Sequence, residues 1–344
     1  MATMTKTDLE TIANDLVAEG KGILAADEST GTIKKRLDSI GVESTEGARR
    51  DYRELLFTTD GIEEFISGVI LYDETIRQSA SDGTPFPKLL TDRGIIPGIK
   101  VDLGAKPLAG APGETVTEGL DGLRDRLAEY YELGARFTKW RAVLSIGPGI
   151  PTDYCIWVNA HALARYAALS QEAGLVPIVE PEVLMDGDHT IETSYHVTVK
   201  TQRAVFTELF DQRVEREGML LKPNMVLSGY DCPDQADDDA VAEQTIKCLK
   251  NEVPAAVPGI VFLSGGQSDE DATRRLNAMN ARGPHPWELS FSYGRALQAP
   301  ALKAWAGEQS KVEDAQKAFY RRAKFNGAAR SGSYAPDWET AEVA

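Results

Sequence analysis

A lysine in an apolar run is the first residue to demand a chemical reason. In LLKPNMVLSG, residues 220–229, Lys222 stands between Leu221 and Pro223. An ammonium placed there loses much of its hydration unless a partner compensates. Other groups capable of chemistry sit in similar short β-type runs. Lys139 and Arg141 flank the tryptophan of KWR, Glu180 and Glu182 the proline of VEPE, and Lys100 and Asp102 the valine of IKVD. Residues i and i+2 project to one side of a strand, so each pair shares a face. Asp27 and Glu28 follow GILAA, Ser264-Gly265-Gly266 follows GIVFL, and Ser292-Tyr293-Gly294-Arg295 closes ELSFSYGR.

The chemistry these residue types suit is attack of a lysine on a carbonyl carbon. It forms a carbinolamine and then an iminium, an electron sink for making or breaking a nearby C–C bond. The nucleophile must be neutral, and a nearby second cation, here Lys139, together with desolvation pushes a lysine pKa down. Dehydration and the C–C step each need a proton shuttle, a role for Glu180 if Glu182 and burial raise its pKa, with Asp27 orienting or sharing it. The two Gly/Ser loops suit an anion, because glycine lets backbone N–H groups approach closely, and Arg295 adds a charged fork. Each feature alone has a plainer reading: a snorkelling lysine, a carboxylate pair on an arginine, a turn. Their convergence carries the chemical one.

Metal and serine chemistry find little support. The four histidines, His161, His189, His196 and His285, form no HxH or HExxH pair, and Asp186, Asp188 and His189 in MDGDHTIE read as a solvated turn. GxSxG is absent. Neither a metal nor a cofactor is expected, and the lysine is the best nucleophile.

Positioning such groups requires a scaffold whose strands end together. The runs at 22–27, 66–73, 95–101, 135–144, 176–184, 220–226, 259–265 and 288–293 read as strands, and amphipathic stretches such as GLDGLRDRLAEYYELG and NAHALARYAALSQEAG read as crossover helices. Eight βα units point to a closed (β/α)8 TIM barrel in one α/β domain, residues 1–330 with an N-terminal helix; 331–344 is a tail lying over the surface or mobile. An open doubly wound sheet is disfavoured by the lack of GxGxxG after the first strand. In a barrel, the carboxyl ends of the strands face the catalytic mouth.

Composition restricts the partners. Fifty-three acidic against 37 basic residues give a formal charge of −16 over 344 residues, which disfavours nucleic acid and anionic membranes. The cysteines, Cys155, Cys232 and Cys248, lack paired or CxxC spacing, so a reducing compartment is expected. MATMTKTDLE lacks the features of a leader and no apolar run is long enough to span a membrane, which makes the expected location cytoplasmic.

GILAADESTGTIKKRL, GIKVD, KWR, VEPE, LLKPNMVLSG, FLSGGQS and FSYGRALQ, in this order from about residue 10 to about residue 330, together resemble class I fructose-1,6-bisphosphate aldolase. The resemblance implies a (β/α)8 barrel, often homotetrameric, that cleaves fructose 1,6-bisphosphate without metal. It implies Lys222 as the Schiff-base lysine, Glu180 as general acid/base, and Asp27 and Lys139 as catalytic partners. Ser264, Gly265, Gly266, Ser292, Gly294 and Arg295 would hold one phosphate. Ser29, Thr32, Lys35, Arg36, Lys100 and Arg141, with Glu182 beside them, would form the second-phosphate and hydroxyl side. Animal members end in a tyrosine that assists proton transfer, whereas the last tyrosine here is Tyr334, and Leu103-Gly104 after GIKVD is a further departure. Two other readings stay open. A transaldolase or another Schiff-base aldolase would need only the lysine chemistry, and a non-enzymatic scaffold would need none of these groups.

Overall fold

Each run expected to be a strand forms one in the computed structural model, which describes residues 6–340. In chain order these are β1 (Gly22–Ala25), β2 (Ile66–Leu71) and β3 (Ile96–Lys100), a short pair β4 (Ala105–Pro107) and β5 (Thr115–Thr117), then β6 (Phe137–Leu144) and β7 (Val176–Val183). β8 (Leu220–Leu221), β9 (Gly259–Phe262) and β10 (Glu288–Tyr293) complete the set. Leaving aside the β4–β5 hairpin, the strands pair in parallel and close in the order β1-β10-β9-β8-β7-β6-β3-β2. The fold is a single-domain (β/α)8 barrel. The hairpin was not expected from sequence. Its strands are only three residues long and β4 is exposed, so neither an apolar run nor an alternation marks it.

The crossover helices begin where the sequence supplies caps. Thr152, Thr190, Asp237 and Ser268 each accept a backbone N–H from the first turn of helices Asp153–Glu172, Ile191–Asp211, Asp238–Glu252 and Asp269–Asn280. A short polar side chain there satisfies one of the donors a helix start leaves unpaired. Helix Leu123–Glu132 buries Leu123, Leu127 and Tyr130, the stripe that its spacing predicts.

Inside the barrel, the inward parity of the strands builds layers. Ile23, Ala25, Ile70, Phe137, Val176, Ile178, Leu220 and Val261 form an apolar floor together with Leu9, Ala13, Leu16 and Val17 from helix Lys6–Leu16 and its end. That helix closes the amino end of the barrel, and Gly68 is small because a Cβ there would stand 2.6 Å from Leu16. The next inward positions are polar. Asp27 follows Ala25, Lys139 follows Phe137, Glu180 follows Ile178 and Lys222 follows Leu220, each two residues on and each lining the mouth. A second apolar core lies between the barrel and its helices. Of the tail, residues 331–340 sit against helix Val312–Arg330, where Tyr334 is buried between Phe325 and Trp338 and donates to Glu339 at 3.0 Å. Residues 341–344 lie outside the described residues.

Gly98→Ala would place a Cβ 2.3 Å from the ring of Phe137, which is fully buried. Overpacking of this kind costs roughly 1–3 kcal/mol. Urea unfolding of the variant should show a loss of that size, and a stability equal to the parent's would show that the floor repacks freely.

Candidate active site

The carboxyl ends of the barrel strands open into a cleft of about 820 Å3. Every residue given a catalytic or binding role from the sequence lines it: Asp27, Ser29, Thr32, Lys35, Arg36, Lys100, Lys139, Arg141, Glu180, Glu182, Lys222, Ser264, Gly265, Gly266, Ser292, Gly294 and Arg295. They come from the ends of seven barrel strands and from helix Thr30–Asp38, so only barrel closure brings them together.

At the base of the cleft, charges alternate in a row. Lys139 Nζ lies 2.6 Å from Asp27 Oδ2 and 3.3 Å from Glu180 Oε2, and Lys222 Nζ lies 3.2 Å from Glu180 Oε1. Both lysine side chains are 5% exposed. Burying charge at this depth is tolerable only because each group faces an opposite one. Although burial pushes the Asp27 carboxyl up, Lys139, Lys222 and Lys100 outweigh it and hold its pKa far below the ordinary carboxylate range. Burial likewise disfavours the Lys139 ammonium, but Asp27, Glu180 and Asp102 hold its pKa above the usual lysine value.

Two details differ from the sequence reading. Lys139 does not act on Lys222 as a bare cation, since the Glu180 carboxylate bridges them and Asp27 takes the far side of Lys139. Glu182, expected to act on Glu180, is bonded by Arg141 Nε. β6 and β7 pair with Arg141 opposite Glu180 and Val143 opposite Glu182, so the Arg141 bond runs diagonally to Glu182 on the facing strand.

The backbone explains the placement of Lys222. Its N–H continues the ladder to Val179 O at 2.8 Å, and regular pairing of β8 ends at Leu221. Pro223 has no N–H to extend it, although its carbonyl still accepts from Leu263 at 3.2 Å. The lysine is therefore the first residue past the end of the shortest barrel strand, at the inward parity of Leu220.

On one wall, Gly265 and Gly266 have φ of +59° and +98°, values that favour glycine. A Cβ on Gly266 would lie 3.1 Å from Arg295 Nη2, so the loop and that guanidinium adjoin. Ser292 Oγ is buried without a partner. Opposite, Ser29 and Thr32 hydroxyls lie 3.1 Å apart at the start of helix Thr30–Asp38, with Lys35 and Arg36 following. Among the described residues, Lys35 and Arg295 are exposed and have no carboxylate in ion-pairing range, whereas Lys100 is paired to Asp102 at 2.7 Å. Two uncompensated cations on opposed walls suit a ligand with an anion at each end.

Several lining groups were not given a role from sequence. Tyr230 donates to Gly265 O at 3.0 Å and fixes the glycine loop, while burial pushes its own pKa up to about 12. Nothing in LSGYDC marks it. Asp102 accepts from Gly104 N at 3.1 Å and Arg141 N at 3.2 Å, a bracing role that the spacing of IKVD does not reveal. Asp186 of MDGDHTIE lines the rim, whereas His189 is buried, and no group of three potential metal ligands converges among the described residues.

The model of the class-I fructose-bisphosphate aldolase family matches residues 8–344. A probable fructose-bisphosphate aldolase class 1 of Xanthomonas campestris is 60% identical, over 96% of this chain and 99% of that protein. Fructose-bisphosphate aldolase C of Carassius auratus is 52% identical, over 97% and 93%. Among solved structures, fructose-bisphosphate aldolase from Plasmodium falciparum, in complex with TRAP and a small-molecule inhibitor, superposes with a TM-score of 0.95 at 50% identity and 97% coverage of both chains.

The depressed pKa of Asp27 has a consequence for stability. A carboxylate with a lowered folded pKa stabilises the protein above its unfolded value, about 4, and that contribution fades as pH falls toward the folded value. Asp27→Asn should be less stable than the parent at neutral pH, with the difference shrinking steadily below about pH 4. Urea titrations across pH 2–7 measure it, and a gap independent of pH would mean that the Asp27 charge is not what Lys139 stabilises.

Proposed function

The chain belongs to the class-I fructose-bisphosphate aldolase family, and within it we propose which side chains carry the reaction. The enzyme is a glycolytic lyase that reversibly cleaves fructose 1,6-bisphosphate to dihydroxyacetone phosphate and glyceraldehyde 3-phosphate through a lysine Schiff base, without metal.

The Schiff-base lysine is Lys222, and one observation carries the choice. Among the described residues Lys139 has two carboxylate partners and a pKa held high, while Lys222 has the single partner Glu180 at 3.2 Å. Lys139 stays charged. Lys222 can pass one proton to Glu180 and attack the C2 ketone as an amine. Glu180 returns the proton to the carbinolamine hydroxyl, which leaves as water. The carboxylate then takes the C4 hydroxyl proton while the C3–C4 bonding pair moves into the iminium, releasing glyceraldehyde 3-phosphate and leaving an enamine. Protonation at C3 and hydrolysis free dihydroxyacetone phosphate and Lys222. Lys139, kept protonated by Asp27, stabilises negative charge on the reacting oxygens.

The loop Ser264-Gly265-Gly266 with Ser292, Gly294 and Arg295 binds the phosphate next to the ketone. Ser29, Thr32, Lys35, Arg36, Lys100 and Arg141 serve the other phosphate and the hydroxyls, and Glu182 orients Arg141. Residues 1–330 form the catalytic barrel and 331–344 its tail. A cytoplasmic location is supported by a relative named cytosolic and by the free state of Cys155, Cys232 and Cys248. No helix among the described residues is long and apolar enough to cross a membrane. Exposed Tyr154 and Trp157, one turn apart on helix Asp153–Glu172, support assembly into a homo-oligomer, a tetramer by family resemblance.

Borohydride added with dihydroxyacetone phosphate should inactivate the enzyme and add mass to the peptide containing Lys222. Lys222→Arg should abolish labelling and turnover, because a guanidinium keeps its proton. Label on Lys139 instead would reverse the assignment. Arg295→Ala should lose roughly 2–4 kcal/mol of transition-state binding with any substrate bearing the ketone-side phosphate. Unchanged kcat/KM on fructose 1,6-bisphosphate would place that phosphate elsewhere.

A further inference from the structure

One carboxylate bordering the cleft takes no part in the proposed chemistry. Glu28 follows Asp27, lines the cleft and has a side chain only 4% exposed. An anion beside a site that must accept a bisphosphate repels it unless its charge is cancelled.

Two hydrogen-bond donors and a second guanidinium converge on Glu28. Arg36, from helix Thr30–Asp38, bonds Oε1 from the cleft side. Gln298 Nε2 donates to the same oxygen at 3.0 Å and to Ala25 O at 2.7 Å. Tyr52 donates to Gln298 Oε1 at 3.2 Å, which fixes the amide with its NH2 toward the carboxylate. The remaining oxygen, Oε2, meets Arg53 Nη2 at 2.6 Å from helix Glu46–Phe57.

Arg53 does not reach the cleft. It is 2% exposed, and its Nε and Nη1 have no hydrogen-bond acceptor. Burying an arginine with two donors unsatisfied is a poor device for stability alone, since the desolvation is incompletely offset. Charge counting gives it another purpose. Arg36 and Glu28 by themselves sum to zero, whereas with Arg53 the cluster carries one net positive charge on the side facing the cleft.

We propose that Arg53 is a buried positioning residue: by neutralising Glu28 from behind, it leaves the charge of Arg36 available to a substrate phosphate. This rests on the reading of the cleft as a sugar-bisphosphate site. The test therefore uses a ligand that cannot form a Schiff base, so that its outcome is independent of Lys222 chemistry.

Hexitol 1,6-bisphosphate carries two phosphates and no ketone, and its Kd can be measured by calorimetry on the full-length enzyme. Arg53→Met should weaken binding by about tenfold or more, because Glu28 then competes with the phosphate for Arg36. The double variant Glu28→Gln/Arg53→Met should recover affinity to within about threefold of the parent, since the competing anion is gone. Arg53→Lys retains the charge and should stay within the same roughly threefold range. Circular dichroism confirms folding, and if Arg53→Met does not fold, the double and lysine variants still decide. Unchanged Kd in folded Arg53→Met, a double variant that binds no better than the single one, or a lysine variant as weak as the methionine one overturns the proposal.

Discussion

The structure turns on a buried carboxylate shared by two ammonium groups. Glu180 stands between Lys139 and Lys222, and Asp27 closes the row behind Lys139. None of these side chains would be stable at this depth by itself, because isolated charges are expelled from low-dielectric surroundings or lose their ionisation. The barrel supplies what makes the row tolerable: four strands that fix opposite charges against each other. The same requirement leaves one proton acceptor beside one incompletely partnered lysine, which is the arrangement an amine nucleophile needs.

The row stands at a particular height in the barrel because of strand parity. Inward positions carry Ala25, Phe137, Ile178 and Leu220 at the floor and switch to charged residues two positions later, at the ends of β1, β6, β7 and β8. Helix Lys6–Leu16 packs Leu9, Ala13 and Leu16 against the floor from below, and the charges line the cleft at the mouth. Above the row, the cations divide by function. Lys100 and Arg141 are paired to Asp102 and Glu182, whereas Lys35 and Arg295 have no carboxylate in ion-pairing range among the described residues. Arg36 falls between these classes, since a second arginine shares its carboxylate.

Much of this was legible in the sequence. Apolar runs and capped amphipathic stretches marked the eight barrel strands, and period-two spacing placed Lys139 with Arg141 and Glu180 with Glu182 on the cleft side. The run 220–226 reads as one strand, but β8 ends at Leu221, because Pro223 has no N–H to extend the ladder. Pairings between distant segments were not legible. Which lysine meets which carboxylate depends on barrel register and on long flexible side chains, so Glu182 found Arg141 rather than acting on Glu180. The β4–β5 hairpin was missed because its strands are short and polar. Tyr230 and Arg53 were missed because each acts through a neighbour: the first on the backbone of Gly265, the second on Glu28.

The claim at the centre of this account is that Glu180 moves the protons of Schiff-base formation at Lys222. Single-turnover measurement of iminium formation by Glu180→Gln, at saturating fructose 1,6-bisphosphate, tests it most directly. General acid–base catalysis of this kind contributes roughly 10²–10⁴-fold, so adduct formation should slow by that factor while the variant still binds the bisphosphate. Iminium formation at the parental rate would contradict the account and move the proton shuttle to another group.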